Sequence, residues 1–248
     1  MLSPDRIETA LAASWPALET VTDGRWEARF AGGYSGRSNS IQVFDPADDS
    51  DPEARIARLA GLYRAQNLDP LFKVTPLTGA ATRAVVAGLG WALYHDSFVL
   101  AAEPDPTLSA PEGIAIVAPT SASWRDAQAL LQGYGAETRA ILADLVALLP
   151  APNAGFIRTA PDGRPLASAL CVVAQGVAVP LNVIVAPEAR GQGHGRAIME
   201  AVLAWSAAQS PDALAIQVLR DNAPAVALYQ SLGFSYLYSY HYRRGSCS

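Results

Sequence analysis

Three glycines at alternate positions, in Arg190-Gly191-Gln192-Gly193-His194-Gly195, constrain this chain more than any other stretch. They follow the apolar run Leu181-Asn182-Val183-Ile184-Val185 and open an amphipathic segment carrying Ile198, Ala201, Val202 and Trp205. Such a pattern predicts a strand, a tight turn and a helix start, which gather backbone N–H groups and a positive helix end around one small volume. Side chains at 191, 193 and 195 would obstruct an approaching anion or the positive φ angles of the turn. Arg190 adds a permanent charge with a planar fork of donors. The stretch reads as an anion site suited to a pyrophosphate. Two alternatives compete. A glycine-rich connection could bind nothing. A dinucleotide fingerprint would need G-x-G-x-x-G directly after the strand and an acidic residue closing the next one. Here the spacing is G-x-G-x-G, Pro187-Glu188-Ala189-Arg190 intervene, and the next apolar run, Ala213 to Leu219, ends in Arg220-Asp221.

A second block lies downstream, Asn222-Ala223-Pro224-Ala225-Val226-Ala227-Leu228-Tyr229-Gln230-Ser231-Leu232-Gly233-Phe234. Asn222 suits an N-cap, Pro224 the first helical turn and Gly233 a left-handed end, so the block predicts a short helix over 223–232. Ala225, Leu228 and Leu232 form its buried stripe, with Tyr229 one position off it. Packing alone could explain a tyrosine there, and so could a site.

Val185-Ala186-Pro187-Glu188 and the glycine turn after them resemble the acyl-CoA pyrophosphate loop of the GNAT superfamily of N-acyltransferases, R/Q-x-x-G-x-G/A after a strand. The second block is similar to that superfamily's N-x-x-A-x-x-L-Y-x-x-x-G-F segment, and the resemblance covers residues 113–243. It implies an α/β (α+β) GNAT fold with a mixed central sheet flanked by helices, and acetyl-CoA as cosubstrate. Val183, Ile184 and Val185 would form the splayed strand that receives the pantetheine arm. Pro180 and Asn182 earlier in that strand suit a bulge. Arg190, Gly191, Gln192, Gly193, His194, Gly195 and Arg196 would surround the pyrophosphate, with Asn222 beside them. Tyr229 matches the tyrosine that protonates the departing thiolate, and an ordinary phenol pKa of about 10 keeps it protonated at neutral pH. A backbone N–H near Val185 would stabilise the oxyanion.

The implied reaction is direct attack on acetyl-CoA, or another short acyl-CoA, by a primary amine of a small molecule or peptide. A non-catalytic acyl-CoA-binding regulator is the competing class. The attacking amine must be neutral, so a base or water chain is required. Glu137, Asp144, Asp96 and His241 are equal candidates.

A net charge of −5 and a pI near 5.2 argue against nucleic acid as a partner. Lys73 is the single lysine. Cys171 and Cys247, with histidines at 95, 194 and 241, supply neither a disulfide framework nor metal-ligand spacing, so no metal is expected. Cysteine usage suits a reducing cytoplasm, and Met1-Leu2-Ser3-Pro4-Asp5-Arg6 lacks the basic start and apolar core of a signal peptide. The uncharged run from Ala169 to Pro187 imitates a membrane span. Gln175-Gly176, Pro180 and Asn182 interrupt it, and it reads instead as a hairpin of two buried strands, so no membrane partner is expected. In the last strand, Phe234, Tyr236, Tyr238, Tyr240 and Tyr242 should share one face, a packing surface some of whose rings could wall an acceptor groove.

The first half reads as a helix over 4–13, strands near 25–31 and 38–44, and a helix capped by Asp51 with Pro52 in its first turn. A strand at Leu71–Val74, a further helix and a strand at Ala92–Ala101 follow. Glu103-Pro104-Asp105-Pro106-Thr107 then reads as a linker. This order looks like a shortened GNAT-like unit without the glycine turn. The expected organisation is tandem, with residues 1–108 a degenerate, divergent GNAT-like domain and 113–248 the catalytic GNAT N-acetyltransferase domain, binding one cofactor per chain. Gly32 to Ser40 is either a plain hairpin connection or a loop over the acceptor site. Tyr34 and Arg37 are its candidate substrate contacts, Arg37 for a carboxylate. A structural or dimerising role for this half is the alternative, which leaves a homodimer open.

Overall fold

The computed structural model describes residues 2–247. Its first half runs α1 (Pro4–Ser14), β1 (Glu19–Asp23), β2 (Trp26–Phe30), β3 (Ile41–Val43), α2 (Pro52–Ala65), β4 (Leu71–Val74), α3 (Ala80–Gly88) and β5 (Ala92–Ala102). The second half runs β6 (Ile114–Val117), α4 (Ala122–Gln132), α5 (Ala136–Ala147), β7 (Asn153–Thr159), β8 (Pro165–Ala174), β9 (Val177–Val185), α6 (His194–Ala208), β10 (Ala213–Leu219), α7 (Ala223–Ser231) and β11 (Ser235–Arg244). Local chemistry sets many of these boundaries. Ser3 caps α1 by accepting from the Arg6 N–H at 3.4 Å, and Ser121 caps α4 through the Trp124 N–H at 3.4 Å. Asp51 departs from expectation. It stands at the N-cap of α2, but its backbone is left-handed (φ 47°) and its side chain makes no capping bond, so Pro52 alone marks the start.

The strands form one eleven-stranded mixed sheet in the order β1-β2-β3-β4-β11-β5-β10-β9-β8-β7-β6. Both pairs β3/β4 and β9/β10 are parallel, and the other neighbours are antiparallel. The order reads alike outward from the β5/β11 pair. β5, the last strand of the first half, lies between β11 and β10; β11, the last of the second, lies between β4 and β5. Each half therefore completes its sheet with the other's terminal strand.

The uncharged run folds as the β8–β9 hairpin, turning at Gln175 and Gly176 with Ala174 opposite Val177. Among the described residues, no helix is long and apolar enough to cross a membrane. One core packs beneath α6 and α7, a second beneath α2 and α3, and a third joins α1, α4 and α5 to the sheet.

The aromatic face of β11 is divided, contrary to the simple alternation. Tyr236 pairs with Leu100 and Tyr238 with the adjacent Val99, so Leu237 is an extra residue that flips the parity of the strand. Phe234 packs with the α6/α7 core, whereas Tyr238, Tyr240 and Tyr242 enter the opposite core and Tyr236 is 58% exposed. Tyr238 donates to Glu8 Oε1 at 2.7 Å, and Lys73 Nζ meets Glu8 Oε2 at 2.5 Å. This buried triad ties α1, β4 and β11 together across the two halves. Loss of either charge alone would strand the other in the core.

Candidate active site

The glycine turn folds as its composition demands. Gly191 (φ +74°) and Gly193 (φ +81°) have the left-handed backbone that side chains resist, and open space surrounds both Cβ positions. Gly195 is confined instead, since a Cβ there would touch Leu228 and Val185 at 3.4 Å. Gly193 precedes α6, so the N–H groups of His194, Gly195 and Arg196 begin the helix without intrahelical acceptors. Arg190 is exposed with no carboxylate partner among the described residues. His194 Nδ1 is buried and unpartnered beside them. The backbone N–H groups at the start of α6, with Arg190 beside them and open space at Gly191 and Gly193, fit a pyrophosphate. Gln192 turns back to the Glu188 carbonyl at 2.9 Å. The Arg196 guanidinium leaves the loop: it donates to Ser231 Oγ at 2.7 Å and pairs with Glu200 at 3.5 Å. Arg196 therefore offers the turn its N–H rather than its charge.

β9 and β10 pair only at Val177/Ala213 and Ala178/Leu214, then part. Val183, Ile184 and Val185 lie half-buried beyond the parting. The Ala186 N–H donates to the Leu166 carbonyl at 2.8 Å, so strand alternation turns the Val185 N–H away from β8 and into the gap. Asn182, with φ 50°, is the extra residue of a bulge between the Leu170/Leu181 and Ser168/Ile184 pairs. Gln128 supports it by donating to the Asn182 carbonyl at 2.9 Å.

α7 begins at Asn222, whose side chain accepts from the Ala225 N–H at 3.3 Å, and ends before Gly233 at φ +91°. Ala225, Leu228 and Leu232 are only half-buried, and Tyr229 is instead the most buried side chain of the helix. Its ring meets Phe234 at 6.1 Å, and burial pushes its phenol up to about 12.

A cleft of about 420 Å³ joins β9 before its end to α7, with the glycine turn outside its lining. Tyr229, Asn222 and Val183 line it together with Arg37, Asn182, Gln217, His95, Tyr240 and Tyr242. The loop between β2 and β3 thus reaches the site from the first half. Arg37 donates to Asn182 Oδ1 at 2.8 Å and lies over the Trp15 ring at 5.0 Å. Tyr34 packs behind the lining: its hydroxyl meets that of Tyr134 at 2.7 Å, and burial raises its pKa. None of the four acid–base candidates lines the cleft. Asp96 pairs with Arg220 at 3.1 Å, Glu137 and Asp144 lie on α5, and His241 on β11 sits near Arg243, Asp96 and Arg83. His95, which carried no signal beyond being one of three scattered histidines, does line it. A bulge puts it at φ 49°, stacked on Tyr94 at 3.7 Å between ring centroids.

Residues 5–244 match the family described as "Probable histone acetyltransferase Rv0428c C-terminal". The chain belongs to that family, within the GNAT superfamily. "Mycothiol acetyltransferase" of Tsukamurella paurometabola is 33% identical over 241 residues, covering 82% of this GNAT chain and 80% of its own. "Uncharacterized N-acetyltransferase YobR" of Bacillus subtilis is 24% identical, covering 96% of this chain and 97% of its own. The fold is shared with a GCN5-related N-acetyltransferase from Kribbella flavida (TM-score 0.69, 20% identity, 99% and 96% of the two chains). A tandem GNAT protein from the clavulanic acid biosynthesis pathway also matches (TM-score 0.61, 16% identity, 83% and 75%). This chain is a GNAT-type N-acetyltransferase, and GNAT acetyltransferases use acetyl-CoA as cosubstrate.

Proposed function

We propose that the protein moves an acetyl group from acetyl-CoA to a primary amine by direct attack, with residues 113–248 as the catalytic unit and residues 1–108 as a divergent unit that completes the acceptor side. The observation that carries this reading is the shared cleft: it holds Tyr229, the parted strand β9 and Arg37 of the opposite half at once. The glycine turn would hold the pyrophosphate, and the free edge of Val183–Val185 the pantetheine arm. Acetyl-CoA supplies the activated acyl carbon; the chain's own groups position the acceptor and move protons. The Val185 N–H faces the place where negative charge would develop on the acyl oxygen. The Tyr229 O–H donates a proton to the leaving sulfur. A lysine-bearing acceptor, as the family description would suggest, meets no carboxylate among the lining residues. Release of CoA thiol on a panel of primary amines tests the reading, and absence of turnover on every amine would overturn it.

His95 is the proton acceptor in this scheme. Partial burial, then the Arg244 charge, hold its imidazole below the usual 6.5, with Asp221 acting the other way. The base form is therefore present at neutral pH and is lost as pH falls through that lowered pKa. His95→Gln should cut kcat at pH 7 by about 100-fold and abolish the acidic limb of the pH–rate profile. A limb that persists in the variant would assign the proton to another group.

The first half should bind no CoA. Where the second half has its glycine turn before α6, the first has Asp45-Pro46-Ala47-Asp48-Asp49-Ser50-Asp51 before α2. Asp49 takes the Ala81 and Thr82 N–H groups at 2.7 and 2.8 Å, and Asp48 takes Arg55 at 2.8 Å. Carboxylates of the chain thus occupy nearby helix-end and arginine donors. Titration calorimetry should give one acetyl-CoA per chain; two would overturn the single-site scheme.

A further inference from the structure

Two strands each bring an unpartnered polar side chain to the lining of the cleft. Gln217 Nε2 on β10 and the Tyr242 hydroxyl on β11 are shielded from solvent and make no hydrogen bond, and the Asn182 amide of β9 lines the cleft with them, next to the Tyr34 hydroxyl. A buried polar group without a partner is costly, so two in one cleft mark a place shaped for something else to complete. Arg37 stands beside them, half-buried and without a carboxylate within 4.0 Å among the described residues. No aspartate or glutamate lines the cleft. Arg37 and His95 are the titratable lining groups other than tyrosines, so the cleft carries a positive charge and no negative one.

We infer that this end is a carboxylate subsite, and that the acceptor is a small amino acid in the chemical sense: one molecule carrying both the amine to be acetylated and a free carboxylate. The inference rests on the proposed acetyl transfer and narrows its substrate class. A carboxylate is the group that complements the set, being planar and acceptor-only, with two oxygens and a charge. The bond from Asn182 Oδ1 and the Trp15 ring hold the guanidinium in place before substrate arrives, so little ordering remains for binding to supply. With the carboxylate at Arg37, the amine is directed back along the cleft toward the parted strands, Tyr229 and His95. The cleft volume of about 420 Å³ suits such a ligand better than a folded protein surface. A polyamine or a lysine-rich tail would bring cations to a site that holds an arginine and no carboxylate.

The test compares each common L-amino acid with its amide and its decarboxylated amine as acceptors for CoA release. The expected result is at least one amino acid preferred over both analogues by about 100-fold in kcat/KM. Arg37→Ala should raise KM for that acid by at least about 10-fold and leave KM for acetyl-CoA and for the amide unchanged. Tyr242→Phe, which keeps the ring in its packing, should raise the acid's KM by a smaller factor in the same direction. Equal turnover of acids, amides and amines, or preference for a lysine-rich peptide, overturns the subsite. Calorimetry with N-acetylated amino acids and CoA gives an answer free of turnover. Binding that is lost in Arg37→Ala supports the subsite even if acetyl transfer fails. No binding by any of them overturns it, whatever amines are acetylated.

Discussion

Tyr229→Phe should leave acetyl-CoA affinity at its wild-type value and lower kcat by about 100-fold or more, a loss of about 2.7 kcal/mol in transition-state stabilisation. The substitution removes one oxygen. The phenyl ring keeps its place on α7 against Phe234, at 6.1 Å between centroids, so packing changes little. Burial drives the phenol up to about 12, which keeps it protonated at every pH used for assay and makes it a donor rather than a base. A thiolate leaving without a proton is the poorer leaving group, and the cost falls on kcat. Single-turnover rates with saturating acetyl-CoA separate this step from product release. Wild-type turnover in the variant would show that another group protonates the sulfur.

Gly193→Asp should abolish most donor binding, weakening acetyl-CoA by about 100-fold or more. Two effects add. The backbone at φ +81° strains any side chain, and the new carboxylate would sit where the N–H groups of the first turn of α6 are aimed. Arg190→Glu is the gentler companion, because the residue is exposed and bears no packing. It reverses a charge beside the pyrophosphate and should weaken binding by at least about 10-fold, less so at high salt. Wild-type Kd should be on the order of micromolar by calorimetry. Far-ultraviolet circular dichroism identifies the variants that remain folded. If both folded variants bind like the wild type, the glycine turn is not the donor site.

The glycine turn and the parts proposed to bind the acyl donor were legible because they are local. A cradle of backbone N–H groups needs only a strand, a glycine turn and a helix start in succession, and Val183 to Arg196 supply them within one short stretch. The same holds for α7, where Asn222, Pro224 and Gly233 set the ends and Tyr229 follows by helical spacing. Even there, spacing misjudged burial: Tyr229 rather than Leu228 became the buried side chain, because it packs with Phe234 in the core beneath α6 and α7.

The acceptor side could not be read in this way. β1 escaped notice because Glu19–Asp23 is a short, largely exposed strand with no apolar alternation. Alternation along β11 fails at Leu237 because a bulge depends on the partner strand, and the partner is β5 of the other half. The same strand pair bulges His95 into the cleft, where sequence offered only an isolated histidine. Arg37 was singled out for its glycine-rich loop, but nothing in that loop says that it ends over Trp15 and against Asn182.

Sequence by itself therefore determined the glycine turn, helix α7, the family and most of the order of the elements, since each depends on residues that are neighbours along the chain. The reciprocal exchange of β5 and β11, and the cleft that gathers Arg37, Asn182, Gln217, His95 and Tyr242, were decided only by the tertiary structure. Those five residues come from strands and a loop far apart in sequence, and only the pairing of one half's last strand inside the other's sheet brings them to a single cavity.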